Sequence, residues 1–269
     1  MRLVPAGVVL AALGVLAAQA PGVTVDLDAM LAPPSAAHPL GTDHLGRDLL
    51  ARLAVGVAPT LRAVAAALVG ALGLGVAAGA AMALGPALMR ATLEGLADLA
   101  LSLPTLVVAL VLAAALGAGS LAIGVALAIT GWAPYALTVA ALADRVRGEE
   151  YWHAARALGV GPVAGFRRHI LPAIAPRLGA LAGADAGRAV LMAASLGFLG
   201  LGVDTGRPDW GGLVHEYRLF LFHAPRLVLA PVAMIALVSL ALHLAFDPLR
   251  PMHRRGAGGR GFRPPRWRR

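Results

Sequence analysis

The sequence predicts an all-α polytopic membrane protein. It would have six transmembrane helices, a long cytoplasmic loop carrying a helix between helices four and five, and both termini in the cytoplasm. Three observations lead there. Of the 269 residues, 59 % are hydrophobic and only 14 % charged, against about a quarter charged in a soluble domain. The mean hydropathy is +0.76, and the apolar residues fall into six blocks near the ~20 residues that one crossing needs. The basic residues are distributed unevenly between the segments on either side of those blocks.

The six blocks are residues 3–20, 58–84, 93–116, 120–143, 178–202 and 225–246. The first also resembles a signal peptide, with Arg2, an apolar run and Ala18-Gln19-Ala20 as a possible cleavage site. Cleavage would leave five spans and an external N-terminus, so the uncleaved reading is preferred. All 23 Lys and Arg residues are arginine. With a cytoplasmic N-terminus, sixteen of them fall on the inside and five outside, which is the positive-inside bias. Eight of the sixteen follow Asp247 in an acid-free tail. Such a tail placed directly after an apolar span reads as a cytoplasmic anchor rather than a nucleic-acid arm. The chain therefore divides into residues 1–57 (first helix and outer loop), 58–247 (the membrane domain) and 248–269 (the Arg-rich tail).

Between the spans, two outer loops (21–57 and 203–224) and one inner loop (144–177) exceed what a simple connection requires. The first outer loop carries mixed charge at Asp43, Arg47, Asp48 and Arg52. In the second, Trp210 is a candidate interface anchor. Spacing leaves open whether these residues touch a partner or cap helices. The inner loop begins with a helix-forming run from Glu149 to Leu158, stopped by Gly159. Tyr151, Ala154, Ala155 and Leu158 share one apolar face at i, i+3, i+4 and i+7. A second short helix is expected from Pro162 to His169, and Pro172 and Pro176 mark the start of the fifth span. Gly75 and Gly79, and Gly179, Gly183 and Gly187, form small-x3-small ladders suited to close helix packing. Asp185 and Arg188 can meet on one helix face and are placed near the cytoplasmic end of the fifth span. Arg90, Glu94 and Asp98 form an interfacial charge cluster.

Several chemistries are excluded. Cysteine is absent, which removes disulfides, cysteine-based zinc sites and thiol catalysis. No catalytic or metal-ligating residue and no cofactor is assigned. His215-Glu216 has Leu219 where a zinc HExxH needs its second histidine, and Ser195 lacks a GxSxG context. These failures argue against an intramembrane hydrolase. The second, fourth and sixth spans contain no acids, which argues against an ion-coupled secondary transporter. No phosphate-binding P-loop is present, so any ATP hydrolysis belongs to another chain.

The inner loop resembles the coupling-loop signature of binding-protein-dependent ABC transporter permeases: EAA, three residues, glycine, nine residues, an isoleucine position, one residue and Leu-Pro. It falls on His153-Ala154-Ala155, Gly159, His169 and Leu171-Pro172, with acids shifted to Glu149 and Glu150. Three further segments resemble the dipeptide, oligopeptide and nickel group of that family. They are HPLGTDHLGRDLLARLAVG at 38–56 (including Gly41, Thr42, Asp43, Gly46, Arg47 and Asp48), Asp98-x5-Pro104, and GFLGLGVDTGRPDWGGLV at 197–214. Two positions depart from the pattern besides His153 and His169: Arg188 and Ala193 stand where relatives carry a small residue and a Glu. His38 and His44 raise a metal reading, but His38 belongs to the signature shared with peptide systems.

The resemblance covers residues 3–251. It implies a multi-pass subunit of the bacterial cytoplasmic (inner) membrane that carries peptides or a related solute such as nickel. The implied partners are two ATP-binding subunits, a second homologous permease, an extracytoplasmic solute-binding protein and membrane lipid, with no nucleic acid. In that reading Glu150, Tyr151, His153, Ala154, Ala155, Gly159, Leu171 and Pro172 form the ATPase-coupling loop.

Overall fold

A computed structural model describes residues 24–117, 119–202 and 207–246. The expected first span at 3–20, its possible cleavage site and the Arg-rich tail at 248–269 lie outside the described residues. Among the described residues the regular structure is helical, apart from one isolated bridge between Thr42 and Asp48. The helices are α1 (Leu49–Leu84), α2 (Ala87–Ser102), α3 (Thr105–Leu116), α4 (Ser120–Gly131), α5 (Ala133–Arg147), α6 (Glu150–Ala157), α7 (Leu171–Leu196), α8 (Trp210–Tyr217) and α9 (Arg226–Phe246). Among the described residues, three helices are long and apolar enough to cross a membrane alone, or up to five spans if each bent pair counts as one.

Four of the expected boundaries need correction. The helix expected from residue 58 begins at Leu49, and so passes through the proposed boundary at 57–58. Arg47 and Arg52 do not delay it, because both guanidiniums are neutralised by carboxylates brought from elsewhere. Asp48 caps the start, accepting from the Ala51 N–H at 2.8 Å. The block at 93–116 is two helices, α2 and α3, which meet at 97°. Pro104 forces Leu103 into extended backbone (φ −86°, ψ 142°), which ends α2. The block at 120–143 bends by 42° between α4 and α5 and runs on to Arg147. Pro134 has no N–H to give the Thr130 carbonyl, which loosens the ladder there. The fifth span starts far earlier than residue 178. The short helix expected from Pro162 to His169 is present, as one α turn at Pro162–Gly165 and a π turn at Phe166–Ile170, and it runs directly into α7. Pro172 lies in the first turn of α7, directly after the π turn, and has no N–H to continue the ladder onto that turn.

The packing is organised around α1, which lies along α4 and α5, while α7 lies along α9. Small residues set these distances. A Cβ at Gly75 would collide with the Cβ of Tyr135, and one at Gly79 would lie 2.6 Å from the Ala136 carbonyl oxygen. At Gly187 it would lie 2.8 Å from the Ser239 carbonyl oxygen of α9. Gly183 is buried. Gly179, by contrast, has nothing within 4 Å among the described residues.

Gly75→Val should therefore overpack the α1–α5 contact and lower stability by about 1–3 kcal/mol, read as thermal unfolding in detergent. Gly179→Ala should leave the unfolding temperature unchanged or slightly raise it, since alanine is the better helix former and no atom is in the way.

Candidate functional sites at the two ends of the bundle

At the end of the bundle bearing α6, that short helix sits between α5 and α7 with Gly148 and Gly159 at its flanks. Glu150 supplies a negative charge in its first turn and Arg156 a positive one in its last, each matching the helix dipole. Gly159 adopts φ +84°, a left-handed conformation that reverses the chain after the helix. The apolar row expected from spacing is divided between two sides of the helix. Trp152 and Ala155 are buried, whereas Tyr151, Ala154 and Leu158 are exposed, Leu158 at 86 %. Trp152 lies over Gly165, where a Cβ would come within 2.7 Å of its ring, and packs into an apolar cluster with Phe166, Ile170 and Ile174. Trp152 was missed in the sequence reading. Its signal was a large aromatic three residues before the small Ala155. His153 is also exposed, beside the Tyr151–Ala154–Leu158 row. Leu171 and Pro172 open α7 just beyond the π turn.

Charged residues brace this end. Arg90 bonds Glu94 at 2.8 Å within α2 and Asp144 of α5 at 2.9 Å. Arg147 donates to the Ala83 carbonyl at the end of α1. Asp98, expected in the same cluster, is exposed and outside these contacts.

At the opposite end, the segment 26–48 folds as a compact loop against α8 and the start of α9. Asp43 is fully buried. It accepts from the backbone N–H groups of Leu45 (2.8 Å) and Arg47 (3.0 Å), from Arg47 Nε (2.7 Å) and from the Tyr217 hydroxyl (3.0 Å). Glu216 of α8 receives both Arg47 and Arg52. Burial works against the charge on Arg47, but the Glu216 hydrogen bond and the Asp43 charge outweigh it and raise its pKa. Burial is also the main cause that raises the Tyr217 pKa, so the phenol keeps the proton it donates. Asp48 accepts from His38 Nδ1 at 2.8 Å. Thr42 bonds the Ala29 carbonyl and the Ala32 N–H. Gly41 and Gly46 have positive φ, and a side chain at Gly46 would run into the Asp26 carbonyl. Arg226, at the head of α9, clamps the carbonyls of Leu31 and Ala32.

Trp210 is not an interface anchor. It is fully buried, its ring N–H donates to the Leu53 carbonyl at 3.0 Å, and its backbone N–H donates to Thr60 at 3.1 Å. The preceding Asp209 caps α8 through the Gly212 N–H at 2.8 Å. Burial raises the Asp209 pKa, partly offset by hydrogen bonds from Gly212 and Gly211. Glu216 gave no usable signal in the sequence, because its partners lie 169 and 164 residues away. Asp43, His44 and Glu216 place potential metal ligands within 4.8 Å of one another. Two guanidiniums already hold both carboxylates, so this is an ion-pair network with poor chemistry for a cation.

Glu216→Gln should leave Arg47 and Arg52 short of one negative charge and destabilise the fold by about 3 kcal/mol, the low end for a broken buried pair because Asp43 remains. Loss of the unfolding transition at its wild-type temperature, in detergent, reads this. Asp209 gives a pH prediction. A raised carboxyl pKa means the folded state holds the proton to higher pH than the unfolded chain. Its contribution is then present below the ordinary value of 3.8 and is lost as pH rises through the raised folded value. Asp209→Asn keeps the cap but cannot ionise, so its unfolding temperature should vary less than wild type across mildly acidic pH. Asp209→Ala should cost about 1 kcal/mol at acidic pH and less as pH rises, because only wild type loses stability there.

Residues 71–255 match the family described as "Binding-protein-dependent transport system inner membrane component". The chain is 35 % identical over 227 residues to the nickel transport system permease protein NikC of Escherichia coli (strain K12), covering 84 % of this chain and 82 % of that one. It is 36 % identical over 244 residues to the probable D,D-dipeptide transport system permease protein DdpC of the same strain, covering 88 % and 79 %. It is 34 % identical over 218 residues to the dipeptide transport system permease protein DppC of Alkalihalophilus pseudofirmus, covering 81 % and 71 %. A row of apolar residues left open at one end of an apolar helical bundle fits this similarity. The chain belongs to the family of inner-membrane components of binding-protein-dependent transport systems, the permease subunits of ABC importers.

Proposed function

We propose that this permease carries short peptides across the bacterial cytoplasmic membrane, driven by separate ATPase subunits that dock on α6. The observation that carries the docking role is the exposed row Tyr151, Ala154 and Leu158, held out from the bundle by Trp152 beneath it. An apolar row of this kind at the tip of a charged loop is a helix-in-groove ligand. Both helices that bracket α6 run into the bundle, α5 through Gly148 and α7 through the Phe166–Ile170 turn. A pull on α6 would therefore displace two spans together, a rigid-body route to alternating access.

The arginine distribution supports placing the α6 end in the cytoplasm, with residues 3–20 as a sixth span and both termini inside. The α8 end then faces the extracytoplasmic binding protein, and the second permease completes the path. Two of the three relatives named above are dipeptide systems and one is a nickel system. The carboxylates that could favour a cation at the α8 end are already held by Arg47 and Arg52, which supports the peptide reading.

The test is co-purification of the ATPase subunits with this chain. Tyr151→Asp combined with Leu158→Asp should reduce it at least tenfold without changing the unfolding temperature, because both side chains are exposed. Gly159→Pro should also reduce co-purification, through the backbone, since proline cannot adopt φ +84°. Unchanged co-purification of both variants would overturn the docking role.

A further inference from the structure

A cavity of about 110 Å³ lies inside the bundle where three irregularities meet. The first is the 97° break between α2 and α3, which brings Thr105 to its wall. The second is the 42° bend between α4 and α5, which contributes Thr130 and Tyr135. The third is the ion pair of α7, Asp185 with Arg188, at 3.1 Å. The Tyr135 hydroxyl donates to the second Asp185 oxygen at 2.9 Å.

The depth of this site differs from the sequence expectation, which put the pair near the cytoplasmic end. With the helical run of the fifth span extending from Pro162 to Leu201, Asp185 and Arg188 stand well inside it. Tyr135 is fifteen residues from the start of its bent span at Ser120 and twelve from the end at Arg147. Gly187, between the two charges, packs on Ser239 in the body of α9. Three spans thus agree on an intramembrane depth.

Asp185 is well covered, but the Arg188 side chain is 60 % exposed. A guanidinium at this depth cannot face lipid without a large penalty. Its open side therefore borders a polar space. Asp185 takes one part of a five-donor fork, which leaves N–H groups directed away from the pair. Broken helices, freed backbone groups and charges gathered at mid-depth form the kind of place where transporters contact their cargo.

We propose that this cavity is a solute-contact site in the translocation path, at which Arg188 receives a carboxylate of the passing solute while Asp185 and Tyr135 hold the guanidinium in place. The volume suits the carboxylate end of a peptide rather than a whole one. The site therefore reads a charged terminus, not side-chain identity. This inference rests on the peptide reading above and adds the residue that contacts the cargo. Tyr135 and Asp185–Arg188 are on the two helices that bracket α6, so motion of the coupling helix would change the geometry around the bound carboxylate.

The test uses the complete importer in proteoliposomes, with dialanine as the probe. Asp185→Asn combined with Arg188→Gln removes both charges without leaving either unpaired, so a merely structural pair would tolerate it. The expected result is normal assembly and a fall of at least tenfold in ATP-driven dialanine uptake. Uptake within twofold of wild type would overturn the proposal and leave the peptide reading intact. A wild-type importer that moves nickel(II) but no dialanine would overturn both. A second variant does not depend on transport. Arg188→Cys creates the single thiol in a cysteine-free chain, and a membrane-impermeant sulfonated thiosulfonate applied on both sides should modify it in the assembled complex. A thiol that stays unmodified would show that position 188 does not border an aqueous path, and would overturn the proposal.

Discussion

A charge buried inside an apolar helical bundle needs a partner there, and this requirement organises the molecule. An unpaired ion or an open backbone group in hydrocarbon costs several kcal/mol. The chain meets the constraint at three levels. At the α8 end, Glu216 joins Arg47 and Arg52. At mid-depth, Asp185 joins Arg188 and Tyr135. At the α6 end, Arg90 joins Glu94 and Asp144. Each level ties together segments distant in sequence or on different helices. Between the levels, small residues let the helices approach closely, as Gly75 and Gly79 do against α5.

The two ends differ in how completely they are closed. The α8 end is a finished structure: Trp210 is buried and donates two hydrogen bonds, Asp43 is saturated with donors, and Arg226 clamps the loop. Such a cap suits a rigid platform. The α6 end is closed on one side only. Trp152 fastens the helix to α7, while Tyr151 and Leu158 are exposed among the described residues. That asymmetry matches a subunit that receives force at one end and holds shape at the other. The π turns at Phe166–Ile170 and Gly197–Leu201 sit at the two ends of α7, where a long helix must meet segments of different geometry.

Much of this was legible in the sequence and some was not, for physical reasons. Apolar runs dominate the composition, so the spans near residues 58–84 and 225–246 stood out. The helix at Glu150–Ala157 and its stop at Gly159 were readable from local capping and glycine chemistry. The start of α1 at Leu49 was hidden because Arg52 looks like a loop residue until Glu216 is seen beside it. The breaks at Pro104 and Trp132 were masked by unbroken hydropathy on both sides. The inward face of α6 was not readable, because alanine is compatible with either side of a helix. Trp152 decides the matter only once Gly165 is known to lie under it. The depth of Asp185 and Arg188 depended on the start of α7, which two prolines made appear later than it is.

The central claim is that force enters this permease through the open face of α6. Because the chain has no cysteine, Leu158→Cys gives a single reporter on that face. In the purified importer, a short bifunctional thiol cross-linker with cysteines placed along the ATPase surface groove should join the two chains, and the yield should change between nucleotide-free and ATP-bound states. An importer that retains its ATPases but gives no adduct from position 158 in either state would contradict the account.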